Sequence, residues 1–555
     1  MVRATFSGFN TALSALQANQ KRLDITGQNL SNMNTAGYTR QQLEASSLNY
    51  TNPVSHYSNG NETAVGFGVS MDRVSQIRDP YLDIQYRSQS ADCSYTNRLQ
   101  TALNSLSKVL DETTISGIRQ AFDDVQSTLT SMQDPAKVSD PIYESELRTK
   151  MQSVCNLFNQ ASRQITQAEQ NEFQRLTGEG SSEQGDVQKI NDILRQIGDL
   201  NVQIKRNQVA GHPSLELQDE RNLLLDELSG YIPVETRYYK DDAHSGNNAY
   251  DYDANGAVIG KKDWPDDLEV SMNYIDAQGK SQKLILVNGS DLGADGLTKN
   301  YGQLSVLNRD HQPAASVSDP ANISIRFEKA PSYQVNGQAA TDVYAELKGI
   351  HFEGGSLQAS LDMLQKKGTG NVINGSVDDV RGYQYYSEKL DQLADTFAKS
   401  MNASNNGNNH KDQNLLSNST DDSTNNITAG NIGISKGWTS GTIHISTDGT
   451  NRTDTILDMI AAMKDTKKLN GKTFADYMNN LSTQLASDSS SNQTALKTGT
   501  TVLNSIQDSR DSLSGVSLDE EATNMMAYVS AYNAASRLMT ALDEVLNTLI
   551  SNTGA

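Results

Sequence analysis

All ten prolines of this 555-residue chain fall between Pro53 and Pro331. A proline inside a helix removes a backbone hydrogen bond and clashes with the preceding turn, so both ends of the chain are free to form unbroken helix. They use that freedom with a heptad pattern. Phe6, Phe9, Leu13, Leu16, Gln20, Leu23, Gly27 and Leu30 recur at alternating spacings of three and four, an a/d seam with two polar or small interruptions. Leu518, Ala522, Met525, Val529 and Tyr532 repeat the pattern near the other end. Ala535, Leu538, Leu542, Val545 and Leu549 form a second seam beside it on the same helix. Seams this narrow are not stable alone in water and demand a partner helix. Residues 1–50 hold four Lys/Arg and two Asp/Glu, whereas residues 516–555 hold one and five. The two ends are therefore expected to pair with each other.

Between the ends the pattern divides. Leu147, Met151, Val154, Phe158, Ala161, Ile165 and Ala168 keep a strict heptad, and Ile190, Ile193, Ile197, Leu200 and Ile204 continue it after a Gly/Ser break. Leu223, Leu224, Leu225 and Leu228 close another helix, with Gly230 as its expected stop. Residues 92–230 thus read as a helical bundle. From Pro233 the composition shifts to short segments between Gly/Asn/Asp turns, with strands expected at 268–275, 282–287 and 322–327. Helical spacing returns at Leu357, Leu361 and Leu364, through Leu390, Leu393, Phe397 and Met401, and again at 455–463. Residues 402–455 are rich in Asn, Ser, Thr and Gly, with 442–446 as a short strand candidate.

The expected fold is mainly α and multidomain: a terminal-helix coiled coil plus an elongated helical bundle built from both chain ends, with small β-rich inserts. The boundaries are 1–40 with 515–555 for the coiled coil, and 41–232, 356–402 and 456–514 for the helical stem. A β-rich inserted domain covers 233–355. A polar Asn/Ser/Gly-rich insert, with a small β domain as one form, covers 403–455.

Composition narrows the function. Hydrophobic residues make up 36% and aromatics 6%, which argues for thin or elongated domains, or for apolar stripes that neighbouring copies bury. The formal charge of −21 argues against nucleic acid and anionic lipid as general partners. The start lacks the apolar stretch of a secretory signal peptide, and no apolar run approaches a membrane span. The expected protein is soluble, and leaves the cell, if at all, without a cleaved signal and without membrane insertion. Two cysteines, Cys93 and Cys155, cannot make a disulfide framework, and Cys155 sits at an apolar heptad position as a buried thiol.

Catalytic signatures fail. The seven histidines are scattered, and H-E-x-x-H, CxxC, G-x-S-x-G and the Walker loop are all absent. Ser105–Lys108 and Lys497–Gly499 match two β-lactamase fragments whose third companion is missing. The reading is no enzyme and no cofactor. A single weak metal candidate remains: Asp251, Asp253 and Asn255 stand at positions 1, 3 and 5 of a calcium-type loop, with Gly256 at 6. Lys262 at position 12 replaces the bidentate carboxylate with a repelling charge, which favours an ordinary Asp/Asn/Gly turn. Trp264 and Trp438 fall in the inserts, where they are expected to anchor small cores.

The strongest signal ends the first seam. Asn29-Leu30-Ser31-Asn32-Met33-Asn34-Thr35-Ala36-Gly37-Tyr38-Thr39-Arg40 is suited to stopping a helix, since Asn and Gly tolerate left-handed backbone and Asn/Thr side chains satisfy freed backbone groups. This segment resembles the signature of bacterial flagellar rod, hook and hook-associated proteins, carried by Asn29, Asn32, Asn34, Thr35, Gly37 and Tyr38. The tail Ser514–Glu521, its continuation Tyr528–Arg537, and the segment Leu217–Leu228 resemble the flagellar hook-associated protein 1 family. The inserts match that family poorly.

The resemblance implies a structural subunit that self-assembles through its terminal helices at the hook–filament junction. It implies an extracellular place in the flagellum after export through the flagellar type III apparatus. Expected partners are copies of the chain, the hook protein, the next hook-associated junction protein, and a cytoplasmic export chaperone that takes the C-terminal helix. The terminal helices are expected to order on assembly. Two alternatives are a hook or distal-rod axial protein, and an axial scaffold carrying a ligand-binding or adhesive insert.

Overall fold

The computed structural model describes residues 2–48, 68–110, 117–138, 140–178, 182–240, 250–252, 258–261, 266–275, 279–289, 300–307, 323–328, 344–347, 351–373, 376–407, 412–446 and 453–553. Helix dominates. The first element is α1 (Val2–Ser31) and the last is α13 (Leu518–Thr553), and these two pack along each other. Residues 41–76, expected within the helical stem, instead supply an antiparallel pair, β1 (Gln41–Ser47) and β2 (Val69–Gln76), laid against α1. The motif after α1 turns the chain back, so this segment meets the helix it has just left.

The stem follows: α2 (Pro80–Leu110), α3 (Ile118–Ser131), α4 (Pro135–Val138), α5 (Pro141–Thr177), α6 (Asp186–Val209) and α7 (Leu215–Tyr231). Local chemistry marks the ends of α5. The Asp140 carboxylate accepts from Ile142 N–H, Pro141 opens the first turn, and Gly178 closes the helix in the left-handed region. Gly230 does not stop α7 but lies within it. A Cβ there would stand 3.2 Å from Ser94 Oγ, so this glycine permits the close approach of α2.

The β-rich region then adds β3 (Glu235–Lys240), β4 (Tyr250–Tyr252), β5 (Val258–Lys261), β6 (Asp266–Ile275), β7 (Ser281–Asn288), β8 (Gln303–Leu307), β9 (Ser324–Glu328), β10 (Tyr344–Leu347) and β11 (His351–Phe352). β6 pairs with β3, β7 and β11, while β8, β9 and β10 form a separate three-stranded sheet. Both sheets seat on α6, where Asn201 Nδ2 donates to the carbonyls of Leu268 and Gly289, and Asn300 Nδ2 donates to those of Gly198 and Gly289.

The chain returns to the stem with α8 (Ser356–Gln365), a small pair β12 (Val372–Ile373) and β13 (Ser376–Val377), and α9 (Tyr383–Asn405). Next come β14 (Leu416–Asn418), β15 (Ile432–Ile434), α10 (Lys436–Ser440) and α11 (Asp454–Lys464). Residues 442–446 are not a strand. They leave the left-handed cap at Gly441 as a bend, with Thr442 and Ile443 N–H bonded back to Gly437 O. The polar insert does not stand apart: Leu415, Leu416, Ile432 and Trp438 belong to the same apolar cluster as Phe158 and Phe397. Trp438 is fully buried, and its Nε1–H donates to Glu144 Oε1 at 2.8 Å.

The long helix α12 (Phe474–Ser514) opens on a reciprocal cap, in which Thr473 Oγ1 accepts from Asp476 N–H and donates to the Asp476 carboxylate. It packs along α2, so the stem is built from both halves of the chain. The α5 heptad is buried as its spacing predicts: Leu147, Met151, Val154 and Phe158 are all at 0% exposure. Each such side chain contributes about 1.5–3 kcal/mol. Cys155 lies among them, and burial pushes its thiol up to about 12.

Candidate assembly interface and its joint

The terminal pair is antiparallel. The Cβ position of Gly8 lies 3.4 Å from the Leu542 methyls, and the Arg22 guanidinium sits 5.6 Å from the Tyr528 ring centroid. On α13 the covered positions are Met525, Tyr528, Ala535, Met539, Leu542 and Leu546, a three-and-four stripe facing α1. Of the seam residues expected on this helix, Met525, Ala535 and Leu542 fall on that stripe. Leu518, Val529, Tyr532, Leu538, Val545 and Leu549 are exposed, Leu538 at 47% and Val545 at 57%.

On α1 the buried residues are Ala12, Ala18, Asn19, Ile25, Thr26 and Asn29. They are mostly small or polar and let α13 and the β1–β2 pair approach closely. Leu13 is 46% exposed, and Phe9, Leu16, Leu23 and Leu30 are half-buried. The side chain of Phe6 lies outside the described residues. Among the described residues, α13 thus carries an apolar stripe open to solvent, whereas the seam of α1 is half covered and fully open only at Leu13.

The turn motif does specific work at the base of this pair. Asn29 is 1% exposed; its Nδ2 donates to Gln41 O at 2.9 Å, and its Oδ1 accepts from Gln41 N–H at 3.0 Å. Tyr38 Oη donates to the same Oδ1 at 2.9 Å. An asparagine presents a donor and an acceptor side by side, which matches the two groups of one backbone residue. Asn32 Nδ2 donates to Gln28 O, Thr35 Oγ1 donates to Asn32 Oδ1, and Asn34 is exposed. Gly37 has φ +77°, a conformation costly for a residue with a Cβ, and faces Leu223 of α7.

Three consecutive residues then address the surrounding elements. Thr39 reaches the stem, with N–H and Oγ1 donating to Asp219 of α7 at 3.0 and 2.6 Å. Arg40 reaches the second half of the chain: its N–H donates to Ser514 O at the end of α12, and its guanidinium pairs with Glu520 and Glu521 of α13. Gln41 holds α1 through Asn29, and its amide contacts Glu216 of α7 at 3.4 Å. Around them Arg78 pairs with Asp83, and Arg510 of α12 bridges Asp83 at 3.2 Å and Asp226 at 2.8 Å while stacking on Tyr86. Arg87 also pairs with Asp226, at 2.8 Å. A cleft of about 800 Å³ opens here, lined among others by Tyr38, Arg40, Arg78, Leu223, Arg510 and Glu520.

Sequence reasoning found the turn and the Leu217–Leu228 segment but not their meeting. Asp219, Asp226 and Glu521 were unmarked as partners of Thr39, Arg510 and Arg40, and nothing local in the sequence announces contacts spanning 180 to 481 residues. Asp251 lies in β4, whereas Asp253, Asn255 and Trp264 lie outside the described residues. Among the described residues no cluster of His, Cys, Asp or Glu fits a metal ion, and no helix is long and apolar enough to cross a membrane.

Comparison with known proteins gives three family models. Residues 9–39 match flagella basal body rod protein, residues 103–262 the flagellar hook-associated protein FlgK helical domain, and residues 509–552 the flagellar basal body rod FlgEFG protein C-terminal region. Flagellar hook-associated protein 1 of Bacillus subtilis is 28% identical over 99% of both chains. Its namesake in Salmonella typhimurium is 29% identical over 41% of this chain and 38% of its own. The solved flagellar hook junction protein FlgK from Burkholderia pseudomallei aligns over 60% of this chain and 44% of its own, at 18% identity and a TM-score of 0.37, a likeness too slight to carry an argument.

Proposed function

Since the chain belongs to the flagellar hook-associated protein 1 family of flagellar structural junction proteins, we propose that it self-assembles at the hook–filament junction by burying the outward stripe of α13 and the half-covered seam of α1 against neighbouring copies. The observation that carries this reading is the exposure of Leu13, Leu518, Val529, Leu538 and Val545 on a helix pair whose inner faces already meet. Stripes of this kind gain stability when another helix covers them.

The neighbours on either side would be the hook protein and the next hook-associated junction protein. Before export the outward stripe of α13 suits an amphipathic-helix groove, the recognition mode of the expected cytoplasmic chaperone. Export without a cleaved signal belongs to the same reading, as does the absence of a catalytic role. The helical body at 103–262 favours a junction protein over a hook or distal-rod protein, whose models match only the ends. Immunolabelling of purified flagella tests the assignment. Label confined to the hook–filament boundary is expected; label along the filament, or none on flagella, overturns it.

A further inference from the structure

Asp219 is 6% exposed, and among the described residues no cation is paired with it closer than 3.9 Å. The nearest is Arg78, with Nη1 3.9 Å away, and that guanidinium is already engaged by Asp83. What holds the carboxylate is Thr39, through N–H and Oγ1. The same carboxylate is one of the stem's direct grips on the turn, beside Ser514 O on Arg40 and Glu216 on Gln41. The joint therefore hangs the terminal pair on the stem partly through a buried, incompletely compensated acid.

We propose that this joint is a proton-sensitive clasp, in which uptake of a proton by Asp219 tightens the hold of α7 on the Thr39–Gln41 turn and loss of that proton loosens it. The groups facing Asp219 set the sign. Tyr38 and Thr39 come from the turn, Arg78 from the lead into α2 and Glu216 from the preceding turn of α7, while Glu521 of α13 acts on Tyr38; behind them Asp83 pairs with both Arg78 and Arg510. Burial is the largest influence on Asp219 and Glu216 adds to it. Thr39 and Arg78 oppose it without cancelling it, leaving the carboxyl raised to about 6.

When the clasp opens, the carboxyl returns to water and to its ordinary value near 3.8. The closed form therefore binds the proton better, and closure strengthens as pH falls through about 6 toward about 4. For that difference the closed-to-open ratio changes about tenfold between pH 7.5 and pH 5. A protonated Asp219 keeps its place, because Thr39 Oγ1 can reverse its role and accept.

Amide hydrogen exchange on the unassembled full chain tests this, with rates corrected for intrinsic pH dependence and read on the peptide spanning 36–43. Since no assembly is involved, the result stands apart from the junction reading. The expected result is about tenfold greater protection at pH 5 than at pH 7.5 in the wild-type chain, a smaller difference in Glu216→Gln, and none in Asp219→Asn or Asp219→Ser. A flat or opposite dependence in the wild-type chain overturns the proposal even if both Asp219 variants fail to fold. So does a dependence that survives in either folded Asp219 variant.

Discussion

The helices α5 and α13 carry the same three-and-four apolar signal and meet opposite fates. On α5 the heptad of Leu147, Met151, Val154 and Phe158 disappears completely into a core walled by α3, α8, α9 and the β14–β15 pair. On α13 the inner stripe is only partly covered, and Leu538 and Val545 on the outer one remain about half exposed. The difference lies in the number of walls rather than in the pattern. A helix in a bundle has neighbours on several sides, whereas α13 has α1 and little else. A heptad therefore announces a demand for burial without saying whether the same chain meets it.

The comparison can be broken most forcefully by removing residues 516–555. Incorporation into flagella and capture by the proposed export chaperone should be lost, while far-UV circular dichroism and the unfolding transition of the stem persist. Collapse of the stem would show that the two regions are one cooperative unit.

Point changes sharpen the same contrast. Phe158→Ala should cost about 3–5 kcal/mol in denaturant unfolding, since it leaves a cavity in a closed core. Leu538→Asp should change the stability of the unassembled chain by no more than about 0.5 kcal/mol and yet stop polymerisation. Leu542→Asp, on the inner stripe, should instead open the terminal pair, read as faster amide exchange along α1.

At the joint, Asn29→Ala removes a group that satisfies both backbone atoms of Gln41, and about 1–3 kcal/mol of local stability should go with it. The readout is exchange of the Gln41 amide.

The smallest effect is expected from Glu520→Gln. Glu520 is exposed, so its pairing with Arg40 contributes only about 0–1 kcal/mol and should fade with added salt. Glu521, buried beside it, retains the other half of that guanidinium.

Much of this was legible in advance. Proline placement foretold which parts of the chain could be long helix, and the spacing of Leu147 to Ile165 foretold a buried face. The Asn/Gly/Thr segment after α1 foretold a helix stop. The β1–β2 pair was missed because its strands alternate weakly and half-exposed residues give little signal. Gly230 misled because a glycine near a helix end has two uses, as a stop and as a place for another helix to come close.

By itself the sequence determined that both ends are helical, that they carry apolar seams, and that opposite charge invites them together. Those properties are local, set by backbone sterics, side-chain period and net charge. Only the tertiary structure decided which of two comparable stripes on α13 faces α1, and that Thr39, Arg40 and Gln41 gather α7, α12, α13 and α1 at one point. A stripe's partner depends on the angle at which two helices enter the joint. That angle is fixed by hydrogen bonds and ion pairs between residues hundreds of positions apart, which no local pattern encodes.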